Sequence, residues 1–160
     1  KKIESSFYPN PKSPIKSFIY IVDKDTVSKT DYDLKGKTIL VVEDNAMNQM
    51  VIKMITKKWL NTNVVFANNG QEGVTALQEN HFDLILMDLQ MPVMDGYEAT
   101  IAIRNGEAGE QKKNIPIIAL TADVMETTKE RVLEIGMNKY MSKPVDKELL
   151  FKNVVELVNV

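Results

Sequence analysis

Four stretches of apolar sequence each end in a residue that can do chemistry. Phe82, Leu84, Ile85, Leu86 and Met87 run into Asp88, which is followed by Leu89-Gln90-Met91-Pro92. Thr38-Ile39-Leu40-Val41-Val42 runs into Glu43-Asp44, and Ile115-Pro116-Ile117-Ile118-Ala119-Leu120 into Thr121. The short Lys139-Tyr140-Met141-Ser142 runs into Lys143-Pro144. The apolar run ahead of Asp88, bounded by a Pro, reads as a strand buried on both faces. Open α/β sheets place their chemistry at the carboxyl ends of strands, so four polar strand ends make a site. An acid pair, a lone Asp, a hydroxyl and an ammonium group point to phosphoryl transfer onto Asp88.

A carboxylate attacks phosphorus only if its own charge and that of the phosphoryl oxygens are screened. Two more acids beside Asp88 therefore make sense only with a divalent cation. Oxygen ligands without His or Cys favour Mg²⁺. Lys143 can then hold the other side of the phosphoryl group as a point charge, and Thr121 can donate a hydrogen bond to it. The backbone N–H of the small Ala122 can approach as well. Each group has a plainer role when taken singly. A Glu-Asp pair after a strand often serves a helix N-terminus, a lone Asp can cap a loop, and Lys-Pro is a common turn. The combination is what carries specificity.

From Lys37 onward strands and helices alternate strictly. Strands are expected at 38–42, 63–67, 83–88, 115–120 and 138–141. Helices are expected at 46–59 with Asn45 as N-cap, at 71–79, 96–105 and 124–134, and after Asp146. Five βα units with short loops predict an α/β, flavodoxin-like three-layer (βα)5 fold with a parallel sheet. Strand order 2-1-3-4-5 makes contiguous the four strands that end in functional residues. Residues 1–36 differ: Pro9, Pro11 and Pro14 among Ser and Lys read as a linker, with a short strand at 18–22. The domain proper is expected at 37–160.

Hydrophobic residues at 44% and charged residues at 26% are those of an ordinary soluble globular protein. A net charge of -2 lacks the basic excess that nucleic acid requires. With no Cys there are neither disulfides nor thiolate metal sites, which fits a reducing compartment. No apolar stretch approaches the ~18 residues of a membrane span, so no direct membrane contact is expected. The chain opens on Lys1-Lys2 without a Met and is expected to be part of something longer.

The strand ends with their flanks resemble the receiver domain of two-component response regulators. The matching segments are Ile39-Leu40-Val41-Val42-Glu43-Asp44-Asn45, Met87-Asp88-Leu89-Gln90-Met91-Pro92-Val93-Met94-Asp95-Gly96, Ile117-Ile118-Ala119-Leu120-Thr121-Ala122 and Met141-Ser142-Lys143-Pro144-Val145. With Asn48-Gln49, the wording is most similar to receivers attached to hybrid sensor histidine kinases. The resemblance covers about residues 37–158. It implies that Asp88 takes a phosphoryl group from a phosphohistidine on a histidine kinase or histidine phosphotransfer domain. It also implies that Asp44, Asp88 and the backbone carbonyl of Gln90 bind Mg²⁺, with Glu43 acting through water. Tyr140 matches the family's switch aromatic, which turns inward as the Thr121 hydroxyl moves to the phosphoryl group. Such a module catalyses only its own phosphorylation and dephosphorylation. A cytoplasmic location and a monomer or weak dimer are expected.

Two rivals remain. A phosphatase of the haloacid dehalogenase type also uses an Asp nucleophile with Mg²⁺, but needs a second Asp where Gln90 stands. A phosphorylation-independent scaffold would not need the complete site. On the first helix, Asn48, Val51, Ile52, Ile55 and Trp59 form the stripe expected to face the sheet. Met47, Met50 and Met54 flank it and widen the apolar arc to about 200°, more than a one-sided core contact requires. They are read as a docking surface for the phosphohistidine partner.

Overall fold

The computed structural model describes residues 32–159. The linker reading of the first 31 residues, with its short strand at 18–22, lies outside them. Among the described residues the order is β1 (Asp33–Val42), α1 (Ala46–Thr56), β2 (Leu60–Ala67), α2 (Gly70–Glu79), β3 (Leu84–Asp88) and α3 (Gly96–Arg104). A 3-10 turn at Glu110–Lys112 precedes β4 (Ile117–Thr121), α4 (Glu126–Glu134), β5 (Lys139–Ser142) and α5 (Lys147–Val158).

All four strand pairings are parallel, in the order β2-β1-β3-β4-β5. Side-chain alternation divides the core into two layers. Leu40, Val42, Ile85, Met87, Ile117 and Ala119 face α2, α3 and α4, where Val74, Leu77, Ala99, Ile103 and Val132 meet them. Ile39, Val41, Leu84, Leu86, Ile118 and Leu120 face α1 and α5, where Ile52, Leu150, Phe151 and Val154 close the second layer. Each such Leu, Ile or Val contributes ~1.5–3 kcal/mol of burial. The central strands β3 and β4 are buried throughout, as their unbroken apolar runs require.

β2 begins earlier than expected, at Leu60, and β4 later, at Ile117; two further boundaries and one helix face differ in ways that bear on the core. β1 starts at Asp33, so residues 33–36, assigned above to the extension, belong to the sheet. Its ladder with β2 shifts register between Asp33 and Lys37, where Lys35 and Gly36 take left-handed φ of 50° and 88°. That irregularity breaks the period that marks a strand. α1 stops at Thr56 rather than reaching Trp59. Trp59 lies in the following turn, buried, with its ring edge-on to Phe151 at 5.5 Å. The sheet-facing stripe of α1 is also rotated: Val51 is exposed, while Thr56 is buried with its hydroxyl donating to the Ile52 carbonyl at 2.8 Å.

Candidate functional site

The site sits at the carboxyl edge of the sheet, beside the reversal of strand order between β1 and β3, where such folds form a crevice. Asp88 is the last residue of β3, with Val42 of β1 opposite Met87 and Leu120 of β4 opposite Asp88 itself. Glu43 and Asp44 leave β1 and enter the loop before α1. Asn45 caps that helix, its side chain accepting the N–H of Met47 at 2.9 Å and of Asn48 at 3.1 Å. On the far side, the Lys143 N–H donates to the Thr121 carbonyl at 2.8 Å and carries the ladder one residue past β5. Behind Asp88, the first residue of α3 must be Gly. A Cβ on Gly96 would lie 2.1 Å from the Asp88 carbonyl oxygen.

The strand ends converge. Lys143 Nζ is 2.7 Å from Glu43 Oε2 and 3.1 Å from Asp88 Oδ1. Glu43 and Asp88 are buried, Asp44 is exposed, and one carboxylate oxygen from each lies within 4.8 Å of the others. Burial pushes the Glu43 carboxyl up, but the Lys143 ammonium and the Asn45 N–H outweigh it and hold the group below its usual range. Asp88 goes the other way: burial raises it, the Glu43 charge adds to that, and Lys143 only partly compensates. Burial lowers the Lys143 ammonium, and its bonds to Glu43 and Asp88 overcome this and raise it. Three carboxylates against one ammonium leave an excess of negative charge in a crevice of oxygen ligands. That donor set and that excess suit a hard divalent cation.

Residues 39–155 match the response regulator receiver domain family. The chain belongs to that family. It is 40% identical over 141 residues to probable histidine kinase 6 of Oryza sativa subsp. japonica, an alignment covering 78% of this chain and 14% of that protein. The chain thus spans about a seventh of that relative's length. In structure it is similar to the receiver domain of sensor histidine kinase PA1611 from Pseudomonas aeruginosa, which was crystallised with a magnesium ion coordinated in the active site cleft. That likeness has a TM-score of 0.70 at 38% identity and covers 78% of this chain and 99% of that one. It is also similar to the receiver domain of Ssk1 from Saccharomyces cerevisiae, solved with the histidine phosphotransfer protein Ypd1. There the TM-score is 0.70 at 34% identity, covering 78% of this chain and 90% of that one. The fold is that of a receiver of two-component phosphorelay signalling.

The other residues expected to matter stand just past the end of β3, at the end of β4, on β5 and along α1. Gln90 follows Asp88 into the loop, exposed, its N–H 3.4 Å from Asp88 Oδ1. Thr121 is buried at the end of β4, and its hydroxyl accepts the Asp123 N–H at 3.0 Å. Tyr140 is half-buried on β5, packed against the α2–α3–α4 layer, with the Lys129 ammonium 5.1 Å from its ring centroid. Met47, Met50 and Met54 are 79%, 58% and 66% exposed along α1. The sequence did not single out Asp123. Its carboxylate accepts the Met125 N–H at 2.8 Å and the Thr128 hydroxyl at 2.6 Å, tying the first turn of α4 to Thr121. The one signal was an acid just ahead of an expected helix.

Among the described residues no helix is long and apolar enough to cross a membrane.

Proposed function

We propose that Asp88 accepts a phosphoryl group from a phosphohistidine, borne by a histidine kinase or a histidine phosphotransfer domain. A carboxylate oxygen of Asp88 attacks phosphorus, the P–N bond breaks, and the imidazole nitrogen leaves with the electron pair and takes up a proton. The observation that carries this reading is a buried Asp88 bonded to Lys143 and grouped with two further carboxylates at a strand-end crevice. Asp44, Asp88 and the Gln90 carbonyl would hold Mg²⁺, with Glu43 acting through water. The bound ion would supply positive charge against which the phosphoryl oxygens are screened. Lys143 neutralises the opposite side, and Thr121 turns its hydroxyl to the incoming oxygens while Tyr140 follows inward.

The receiver would work in the cytoplasm as part of a hybrid histidine kinase, as a monomer or weak dimer. A phosphatase of the haloacid dehalogenase type is disfavoured by Gln90, which cannot serve as its general acid. Acetyl phosphate or phosphoramidate should add one phosphoryl mass to the protein. Asp88→Asn or EDTA should abolish that addition, and full labelling of Asp88→Asn would remove Asp88 from its role.

A further inference from the structure

Asp44 is the exposed member of the acidic group, and among the described residues no donor hydrogen-bonds its carboxylate. Its neighbours are fixed by side-chain contacts, whereas Asp44 has only its backbone to aim it. That backbone is held from outside the crevice. Gln49 Nε2 donates to the Glu43 carbonyl at 2.7 Å, and this carbonyl belongs to the peptide unit that leads into Asp44. The same nitrogen donates to Asn68 Oδ1 at 3.0 Å. Asn68 is fixed in turn, because its N–H and its side-chain amide both donate to Glu72 Oε2, at 2.8 and 3.0 Å.

Chemistry settles the direction of every bond in this chain. The Glu43 carbonyl at one end and the Glu72 carboxylate at the other can only accept. Gln49 must therefore present its NH₂ to Glu43, and Asn68 must present its NH₂ to Glu72 and its carbonyl to Gln49. Both hydrogens of the Gln49 amide are used, and neither amide can flip without losing bonds. On the other side of Asp44, the Asn45 N–H donates to Glu43 Oε1 at 3.0 Å. The peptide unit ahead of Asp44 is thus pinned to a framework reaching into the first turn of α2, and the one after it to the Glu43 carboxylate.

We infer that Gln49, backed by Asn68, is a positioning residue that aims Asp44 at the divalent cation. This rests on the ligand set proposed above. Outer partners that orient metal ligands typically account for tenfold or more in metal affinity. Calorimetric titration of Mg²⁺ into the 160-residue chain separates the possibilities. Gln49→Ala should weaken Mg²⁺ binding on the order of tenfold. Asn68→Ala should weaken it in the same direction, and the double variant should be no worse than Gln49→Ala alone, as members of one network behave. Thermal midpoints without Mg²⁺ should stay close to the parent.

Gln49→Glu is the sharper arm. It keeps the shape of the side chain, loses both donors and adds a negative charge near the crevice. Charge alone would tighten Mg²⁺ binding, and packing alone would leave it unchanged, whereas loss of positioning weakens it. Parent-like or tighter binding in both Gln49→Ala and Gln49→Glu overturns the inference. If instead the parent binds no Mg²⁺, or Asp44→Asn binds it as tightly as the parent, the ligand set itself is wrong.

Discussion

Lys143 and Glu43, 100 residues apart in sequence, meet Nζ to Oε2 at 2.7 Å, with Glu43 fully buried. A buried carboxylate survives only with such a partner, since desolvation alone would neutralise it. Lys143 is therefore structural as well as chemical: it compensates Glu43 while offering its remaining hydrogens to Asp88.

Removing Lys143 alone should cost on the order of 3 kcal/mol, because it leaves a charge buried without its partner. Lys143→Met combined with Glu43→Gln should recover most of that loss. Urea denaturation of the single and double variants at neutral pH measures it. Equal instability of the two would mean that packing, not charge, is what Lys143 provides.

Stability should depend on pH in opposite senses at the two buried acids. Glu43 lies below its ordinary 4.5, so its contribution is present above that value and is lost as pH falls through the lowered one. Asp88 lies above its ordinary 3.8, so its contribution is complete below 3.8 and is lost as pH rises through the raised value. Asp88→Asn does not titrate. In EDTA it should gain on the parent as pH rises through that window and then hold a constant lead in melting temperature. A lead that shrinks with rising pH would reverse the sign assigned to Asp88.

Occupation of the acceptor should be read in α4 and β5. The Thr121 hydroxyl accepts the Asp123 N–H, and Asp123 in turn holds Met125 and Thr128. Drawing that hydroxyl toward a phosphoryl group releases Asp123 from Thr121. α4 is lightly held, with Val132 its one buried residue and cation–ring contacts to Tyr97 and Tyr140. Beryllofluoride, which mimics the acyl phosphate, should therefore shift NMR signals across α4 and β5. Changes confined to the loops after Val42 and Asp88 would rule out this route.

The alternation of strands and helices was legible because apolar runs and helical periods follow from which faces are buried. The acids, Thr121 and Lys143 were legible because each stands where an apolar run stops. The early start of β1 was not, since left-handed Lys35 and Gly36 interrupt the period. Nor was the burial of Thr56, whose hydroxyl is satisfied within its own helix and so enters the core as a polar residue. Asp123 and the Gln49–Asn68 pair act through tertiary hydrogen bonds, which leave no periodic trace.

The three methionines of α1 make a further test possible. The helix buries Ile52 and Thr56, while Met47, Met50 and Met54 lie on its outer side with Val51 also exposed. Covering the core edge does not account for side chains this open to water. A flexible thioether makes an adaptable apolar contact, and α1 begins beside the Glu43–Asp44 loop, where the proposed phosphohistidine donor would approach Asp88. Lys and Met have similar helix propensities, so exchanging exposed residues should leave the fold intact. Met50→Lys with Met54→Lys should slow transfer from the protein donor by about tenfold or more, the loss expected when contact residues are replaced by charge. Labelling by acetyl phosphate, which needs no docking, should remain near the parent rate. Equal slowing with both donors would indicate damage to the site itself, and unchanged transfer from the protein donor would place its contact elsewhere.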